Sequence, residues 1–498
     1  MHRSAIQTLL LPLILNIFSI REAGCTTAAE YRRLADRCVQ RGEYTKAADY
    51  YRSEAEVYRR IGDPNAAKVE EMKAERWSTD IRIYAEIPPD RKRLLALYTG
   101  AKHEPVYGCY LGAFLHQDEK ANAGGFRGNQ AYREDAFSQI IGKQLATTYM
   151  YRSYGVDFPI QWARALCAKG MAPHISWEPN RGLDYVRDDE YLRRFARAAA
   201  SCGGPVFIRF AGEMNGDWTR YHGAPELYRR KFRLIHDVME RIAPNVAMIW
   251  CVNHIPEHNI DEYYPGDQYV DWVGVNFYSV IYHDNDTSRP GWFECPTSFL
   301  KGVYKKYAAR KPIAICEYGA SHVAALDGVD RADFACEKLG KLYAALPRLF
   351  PRVKLIDIFS CNNLKHAIPS RQLNDYCVTD NTRVLEAFKR AIEPDYYLTR
   401  AFPSSSAQAD LPKHVKELAS GAGLSGNVRL SAWVKTYDTS PRVVYTLDGG
   451  EIAKLGSPGD YSTDLDTSRF SKGKHTLCVT AVDSKGRLAG RKQVTVYF

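Results

Sequence analysis

From residue 107 to about 392 the chain alternates short apolar runs with segments of helical periodicity. The runs are YGCYLGAF (107–114), LATTYMY (145–151), MAPHISW (171–177), VFIRFAG (206–212), VAMIWCVN (246–253), VDWVGVNFYS (270–279), PIAICEYG (312–319) and KLIDIFSCN (354–362). A strand buried on both faces is nearly continuous in hydrophobicity, and strands separated by helices build a parallel sheet. Eight such units predict an α/β fold, a (β/α)8 TIM barrel over 101–396, close to the ~250 residues usual for that architecture. A doubly wound open sheet is the competing arrangement, but no GxGxxG follows the first run and no Walker loop occurs.

The flanks carry other periods. Between 29 and 80, Ala47, Tyr51, Ala55 and Tyr58 recur at three- and four-residue steps, and Gly42-Glu43-Tyr44 and Gly62-Asp63-Pro64 break the stretch into helices. The pattern resembles one or two tetratricopeptide-type units. Such units bury their faces by stacking, so a short array is expected to cap the neighbouring domain or to dock a protein partner. Residues 397–426 read as a linker, with PSSSAQAD and SGAGLSGN rich in Ser, Gly and Ala. Alternating strands follow over 427–498, with a hairpin turn at Asp448-Gly449-Gly450, which predicts a small immunoglobulin-like β-sandwich. At the other end, Arg3 precedes the short apolar run LLLPLILNIF (9–18), with Ala23 and Gly24 behind it. Residues 1–24 are therefore expected to be a signal peptide, and the protein to be exported: secreted, periplasmic or attached at the cell surface.

With 498 residues, there is room for an enzyme and accessory modules. Hydrophobic residues at 45% and charged residues at 25% exclude a disordered or membrane-embedded chain, and no apolar stretch is long enough for an integral membrane span. The net charge of +10 is spread among interleaved acids, so no nucleic-acid partner is expected. Twelve cysteines lie singly along the chain, several inside strand-like runs, and read as small buried hydrophobes. No CxxC or HExxH pattern occurs, and neither a metal nor a cofactor is expected.

In a barrel of this kind the reactive residues sit where the strands end. The fourth run ends in Gly212-Glu213-Met214-Asn215-Gly216-Asp217-Trp218, and the seventh in Cys316-Glu317-Tyr318-Gly319. Carboxylates on strands four and seven would face each other across the barrel mouth. Cleaving an acetal needs a proton for the leaving oxygen and an anion opposite the developing oxocarbenium ion, and a separation of about 5 Å allows direct nucleophilic attack with retention. Glu213 suits the proton carrier and Glu317 the nucleophile. A lone strand-end glutamate is most often part of a surface loop or a salt bridge; the pairing makes catalysis the better reading.

These residues also carry a resemblance. RFAGEMNGDW (209–218), YYPGDQYVDWVGVNFY (263–278) and PIAICEYGAS (312–321) together resemble glycoside hydrolase family 26, the family of beta-mannanases and related endo-glucanases, over roughly 107–390. The resemblance implies a retaining (β/α)8 barrel with Glu213 as acid/base and Glu317 as nucleophile, acting on a β-linked polysaccharide or oligosaccharide. By the same similarity Tyr278 donates a hydrogen bond to Glu317. Trp218 and Trp177 offer flat faces for pyranose rings, and Asn215, Arg209 and Asn276 are expected to bind substrate, with His222 and Asn362 as weaker candidates.

One position departs from the family. Its members usually carry His before the acid/base glutamate, and here Gly212 stands there, so the substrate is read as mannan, mixed-linkage glucan or exopolysaccharide rather than mannan alone. His174 or His254 could project into the vacated volume. Two other functions fit the same residues: a polysaccharide-binding barrel without turnover, docked in an export or assembly complex, and a transglycosylase using the same covalent intermediate.

Overall fold

The computed structural model describes residues 27–88, 90–123, 132–402, 413–456 and 461–498. The expected signal peptide lies outside these residues. The chain divides into two compact units, one of residues up to Asp80 with Lys435–Asp438, the other of Ile81–Val434 and Thr439–Phe498.

The first unit contains helices Ala28–Gln40, Tyr44–Arg60 and Pro64–Trp77. They break where Gly42 and Gly62 take positive φ, which costs a glycine little. Thr27 and Glu30 form a capping box on the first helix, and Asp63 caps the third. Ala35, Cys38, Ala47, Tyr51 and Ala74 form the core between the helices. Beside it Glu54 and Glu70, both buried, share the Arg32 guanidinium at 2.6 and 2.8 Å.

In the second unit eight parallel strands, named β1 to β8, close into a barrel. They are Cys109–Phe114, Thr147–Ser153, Ala172–Glu178, Val206–Phe210, Val246–Asn253, Trp272–Ser279, Ile313–Ala320 and Val353–Phe359. Each coincides with one of the eight apolar runs, and β8 pairs with β1 to complete the ring. Helices such as Glu190–Ala200, Pro225–Ile242, Pro296–Tyr307 and Ala332–Leu349 cover the outside. Between β5 and β6 the described connection has two short 3-10 turns, Ile260–Tyr263 and Asp267–Tyr269, in place of a longer helix.

The strands are apolar on both faces because both are buried. Outward side chains such as Ile175, Ile208, Trp250 and Val275 join the core shared with the helices. Inward ones stack in layers, with Tyr110, Phe207, Ile249, Trp272 and Leu355 in the lower part. Above them lies a buried pair, His174 Nδ1 and Asp357 Oδ2 at 2.8 Å. Burial favours the neutral form of each, lowering the His174 pKa and raising that of Asp357.

Of the stretch read as a linker over 397–426, residues 403–412 with PSSSAQAD lie outside the described residues, and the described remainder contains short strands. Tyr397–Leu398 pairs with β1, and His414–Glu417 joins a sheet of strand order 414–417, 80–87, 427–435, 461–466. That sheet also takes Asp80–Ile87 from ahead of the barrel, so the C-terminal β-structure is not built from 427–498 alone. Pairing across more than 300 residues leaves no local mark in the sequence. A second sheet runs 422–423, 488–497, 474–482, 442–447, 450–455. Barrel and sheet are joined by Trp433, which packs into the barrel's outer core, and by Arg348, which donates to Ser431 Oγ at 3.1 Å.

The barrel seam has little slack. A Cβ at Gly112 on β1 would lie 1.8 Å from Asp357 Oδ1 and 2.5 Å from Thr147 Cγ2. Gly112→Ala is expected to cost about 2 kcal/mol or more through overpacking, read as a lower midpoint in chemical denaturation. An unchanged midpoint would show that β1 and β8 part easily.

Candidate active site

The C-terminal ends of the strands surround an open cleft of about 750 Å³. Glu213 and Glu317 both line it. They reach it differently. Glu317 lies within β7, 5% exposed, whereas Glu213 follows β4 in a loop where Ala211 and Glu213 both take left-handed backbone, with φ of 48° and 60°. That conformation costs a side-chain-bearing residue roughly 1–2 kcal/mol, so the surrounding bonds must hold it. Glu213 N donates to Cys251 O on β5 at 3.0 Å. Asn215 donates through Nδ2 to Asn253 O and Pro256 O, each at 2.9 Å, and accepts from Asn253 N at 2.9 Å.

The Glu317 carboxylate accepts from three donors. Arg209 on β4 and Tyr151 on β2 donate to Oε1, the latter at 2.5 Å, and Tyr278 on β6 donates to Oε2. Burial and then the Glu317 charge push both phenols well above their ordinary pKa, so each keeps the proton it donates. Burial pulls the Arg209 pKa down, but the negative groups around it, Glu317 foremost, together outweigh this and leave it well above its usual value. Glu213 accepts from Asn276 Nδ2 at 2.8 Å and Asn253 Nδ2 at 3.1 Å on Oε1, and from Trp218 Nε1 at 2.6 Å on Oε2. Asn276 Oδ1 in turn accepts from Arg209 Nη1 at 3.1 Å. One carboxamide and one guanidinium therefore connect the two carboxylates.

Trp218 stands at the edge of the cleft, 40% exposed. Gly216 is needed beneath it, since a Cβ there would come within 2.2 Å of the indole. Tyr278, Asn276 and Arg209 also line the cleft, although the hydrogen bonds of Arg209 run to Ser176, Asn276 and Glu317, so that it acts as a brace.

Other expected contacts fall elsewhere. Trp177 is fully buried and stacks on Phe195 at 4.0 Å, because its side chain points outward from β3 into the helix layer. Asn215 is fully buried and clamps the β4 and β5 loops together instead of facing substrate. His222 lies beside Met214 O, and Asn362 bonds Asp375 and Asp380 within the β8 loop. His174 is committed to Asp357 inside the barrel and His254 packs against Phe299, so neither occupies the space at Gly212.

That space is bordered instead by Glu178 and Tyr221. The Tyr221 hydroxyl lies 2.7 Å from Glu178 Oε2 and 2.6 Å from Gly212 O. A phenol has one proton for two acceptors, so both bonds form only when Glu178 supplies the second. Burial, the largest influence on Glu178, raises its pKa and favours that protonated form. A Cβ at Gly212 would meet Arg209 at an ordinary 3.5 Å, so crowding does not demand glycine here.

Glu178, Tyr151 and Asn253 were not singled out from the sequence, although each stands at or beside the end of an apolar run. Tyr221 and Tyr376 come from loops and carried no comparable signal. The loop after β8 supplies a further wall, with His366, Ile368, Arg371 and Asn374.

Residues 184–306 match the family model for glycosyl hydrolase family 26, a span that includes Glu213, Asn276 and Tyr278 and stops short of Glu317. Endoglucanase H of Acetivibrio thermocellus is 25% identical over 207 residues, 38% of this chain and 23% of that protein. Beta-1,3-xylanase TXYA of Vibrio sp is 31% identical over 80 residues, 15% of this chain and 17% of that protein. The chain thus spans about a quarter or less of the length of these relatives. Among solved structures, a modular endo-beta-1,4-mannanase from Cellulomonas fimi aligns over 82% of this chain and 98% of its own, with 15% identity and a TM-score of 0.42. The Bacteroides ovatus beta-mannanase BoMan26A aligns over 64% and 99%, with 14% identity and a TM-score of 0.43. Residues 184–306 of the barrel are thus similar to glycosyl hydrolase family 26.

Proposed function

We propose that the protein is an exported retaining glycosidase that cleaves β-linked polysaccharide: mannan, mixed-linkage glucan or exopolysaccharide. The observation that carries this reading is the placement of Glu213 and Glu317 at the ends of β4 and β7, joined through Asn276 and Arg209 beside the half-exposed Trp218. In the first step a Glu317 carboxylate oxygen attacks the anomeric carbon while the glycosidic C–O bond breaks and Glu213 gives its proton to the leaving oxygen. In the second, water attacks the glycosyl ester, Glu213 takes the water's proton, and Glu317 leaves as the carboxylate.

The supports differ in kind. Arg209, Tyr151 and Tyr278 hold the Glu317 oxygens in place for attack, while Glu213 is held by two neutral amides and an indole. Trp218 presents an apolar face for a pyranose ring. The names of an endoglucanase and a beta-1,3-xylanase among the relatives point to glycans, β-linked in the second, and the space at Gly212 favours a substrate class wider than mannan. Export rests on the order of charge, apolar run and small residues over 3–24. The helical unit is the segment to test for a protein partner.

Glu317→Ala is expected to lower reducing-end release from polysaccharide by about ten-thousand-fold or more with an unchanged circular dichroism spectrum. Glu213→Ala is expected to lose about a hundred- to ten-thousand-fold on polymer and far less on aryl glycosides with good leaving groups. Undiminished release by Glu317→Ala would rule out the nucleophile assignment. Proton NMR of the first-formed product should show the β anomer; an α product would mean direct attack by water with inversion.

A further inference from the structure

A second cavity of about 360 Å³ lies over the ends of β2 and β3, lined by Tyr154, Tyr185, Tyr191, Arg181, Arg194 and Pro179 among others. Pro179 directly follows Glu178, which lines the main cleft, and Tyr154 N donates to Glu178 O at 2.8 Å. Consecutive residues of one segment therefore line the two cavities. The floor is rigid. Phe195 stacks on Trp177 at 4.0 Å, Trp177 on Tyr154 at 4.9 Å, and Tyr154 meets Tyr191 edge-on at 5.1 Å. The Tyr191 hydroxyl donates to Val156 O at 2.8 Å, which fixes that ring.

Tyr185 differs from these. It is 52% exposed on a 3-10 turn that begins after Gly182, and the Arg181 guanidinium packs 4.3 Å from its ring centroid. Among the described residues Arg181 forms no ion pair. Aromatic faces with charged donors at the rim match a sugar ring, which has apolar C–H faces and a girdle of hydroxyls.

We propose that this cavity is a distal carbohydrate subsite that takes one pyranose ring of the same chain bound in the main cleft, with Tyr185 as its stacking platform and Arg181 as a hydroxyl donor. The proposal rests on the glycosidase reading and extends it, because it makes the enzyme favour polymers long enough to pass Glu178 and reach Tyr185. Trp177, expected to touch sugar itself, serves here as the support under Tyr154.

The test compares wild type, Tyr185→Ala and Tyr185→Trp on lichenan and β-mannan and on the tetrasaccharides of each. In Tyr185→Ala the ratio of polymer KM to tetrasaccharide KM should rise about fivefold with polymer kcat unchanged, and Tyr185→Trp should restore it. Equal ratios in all three proteins overturn the subsite. If wild type cleaves none of these substrates the hydrolase reading fails for them, and affinity electrophoresis through the same two polysaccharides decides the subsite separately. Retardation of wild type that is lost in Tyr185→Ala supports it; equal mobility, or no retardation of wild type, overturns it.

Discussion

A buried ion pair organises the mouth of this barrel. Arg209 is 1% and Glu317 5% exposed, and their contact joins β4 to β7 across the ring. Removing one partner of such a pair strands a buried charge, at about 3–5 kcal/mol. Compensation here comes from hydrogen bonds. Ser176 and Asn276 accept from three further Arg209 donors, Tyr151 and Tyr278 serve Glu317, and Asn276 carries the network to Glu213. Seven side chains from five strands and their ends are thereby fixed relative to one another.

The network can form because the barrel below it is filled. Tyr110, Phe207 and Trp272 occupy the lower interior, and the hydrogen-bonded His174 and Asp357, each favoured in its neutral form, lie between that apolar layer and the charges above. Polarity thus rises from bottom to top. The strained Glu213 loop is held in the same way, with Asn215 spending its amide on the β5 loop so that Glu213 can take φ of 60° and face the cleft. A fully buried asparagine thus holds the Glu213 loop in position from beneath.

The same division of labour accounts for Trp177. A strand alternates its faces, so a tryptophan near the end of β3 points either into the mouth or into the helix layer. Ser176 points inward to Arg209, which sends Trp177 outward onto Phe195. Glu178 then returns to the inner face beside Tyr221, where burial favours its protonated form.

By itself the sequence determined the barrel, because strands buried on both faces write continuous apolar runs, and all eight runs became strands. It also marked two strand-end carboxylates, Glu213 and Glu317, that line one cleft, since strand ends in such a barrel converge whatever the loops do. The tertiary structure decided which strand-end side chains turn inward, which loop residues such as Tyr221 and Tyr376 reach the cleft, and that Asp80–Ile87 pairs with His414–Glu417. Those outcomes depend on side-chain direction and on contacts between distant segments, and local hydrophobic periodicity encodes neither.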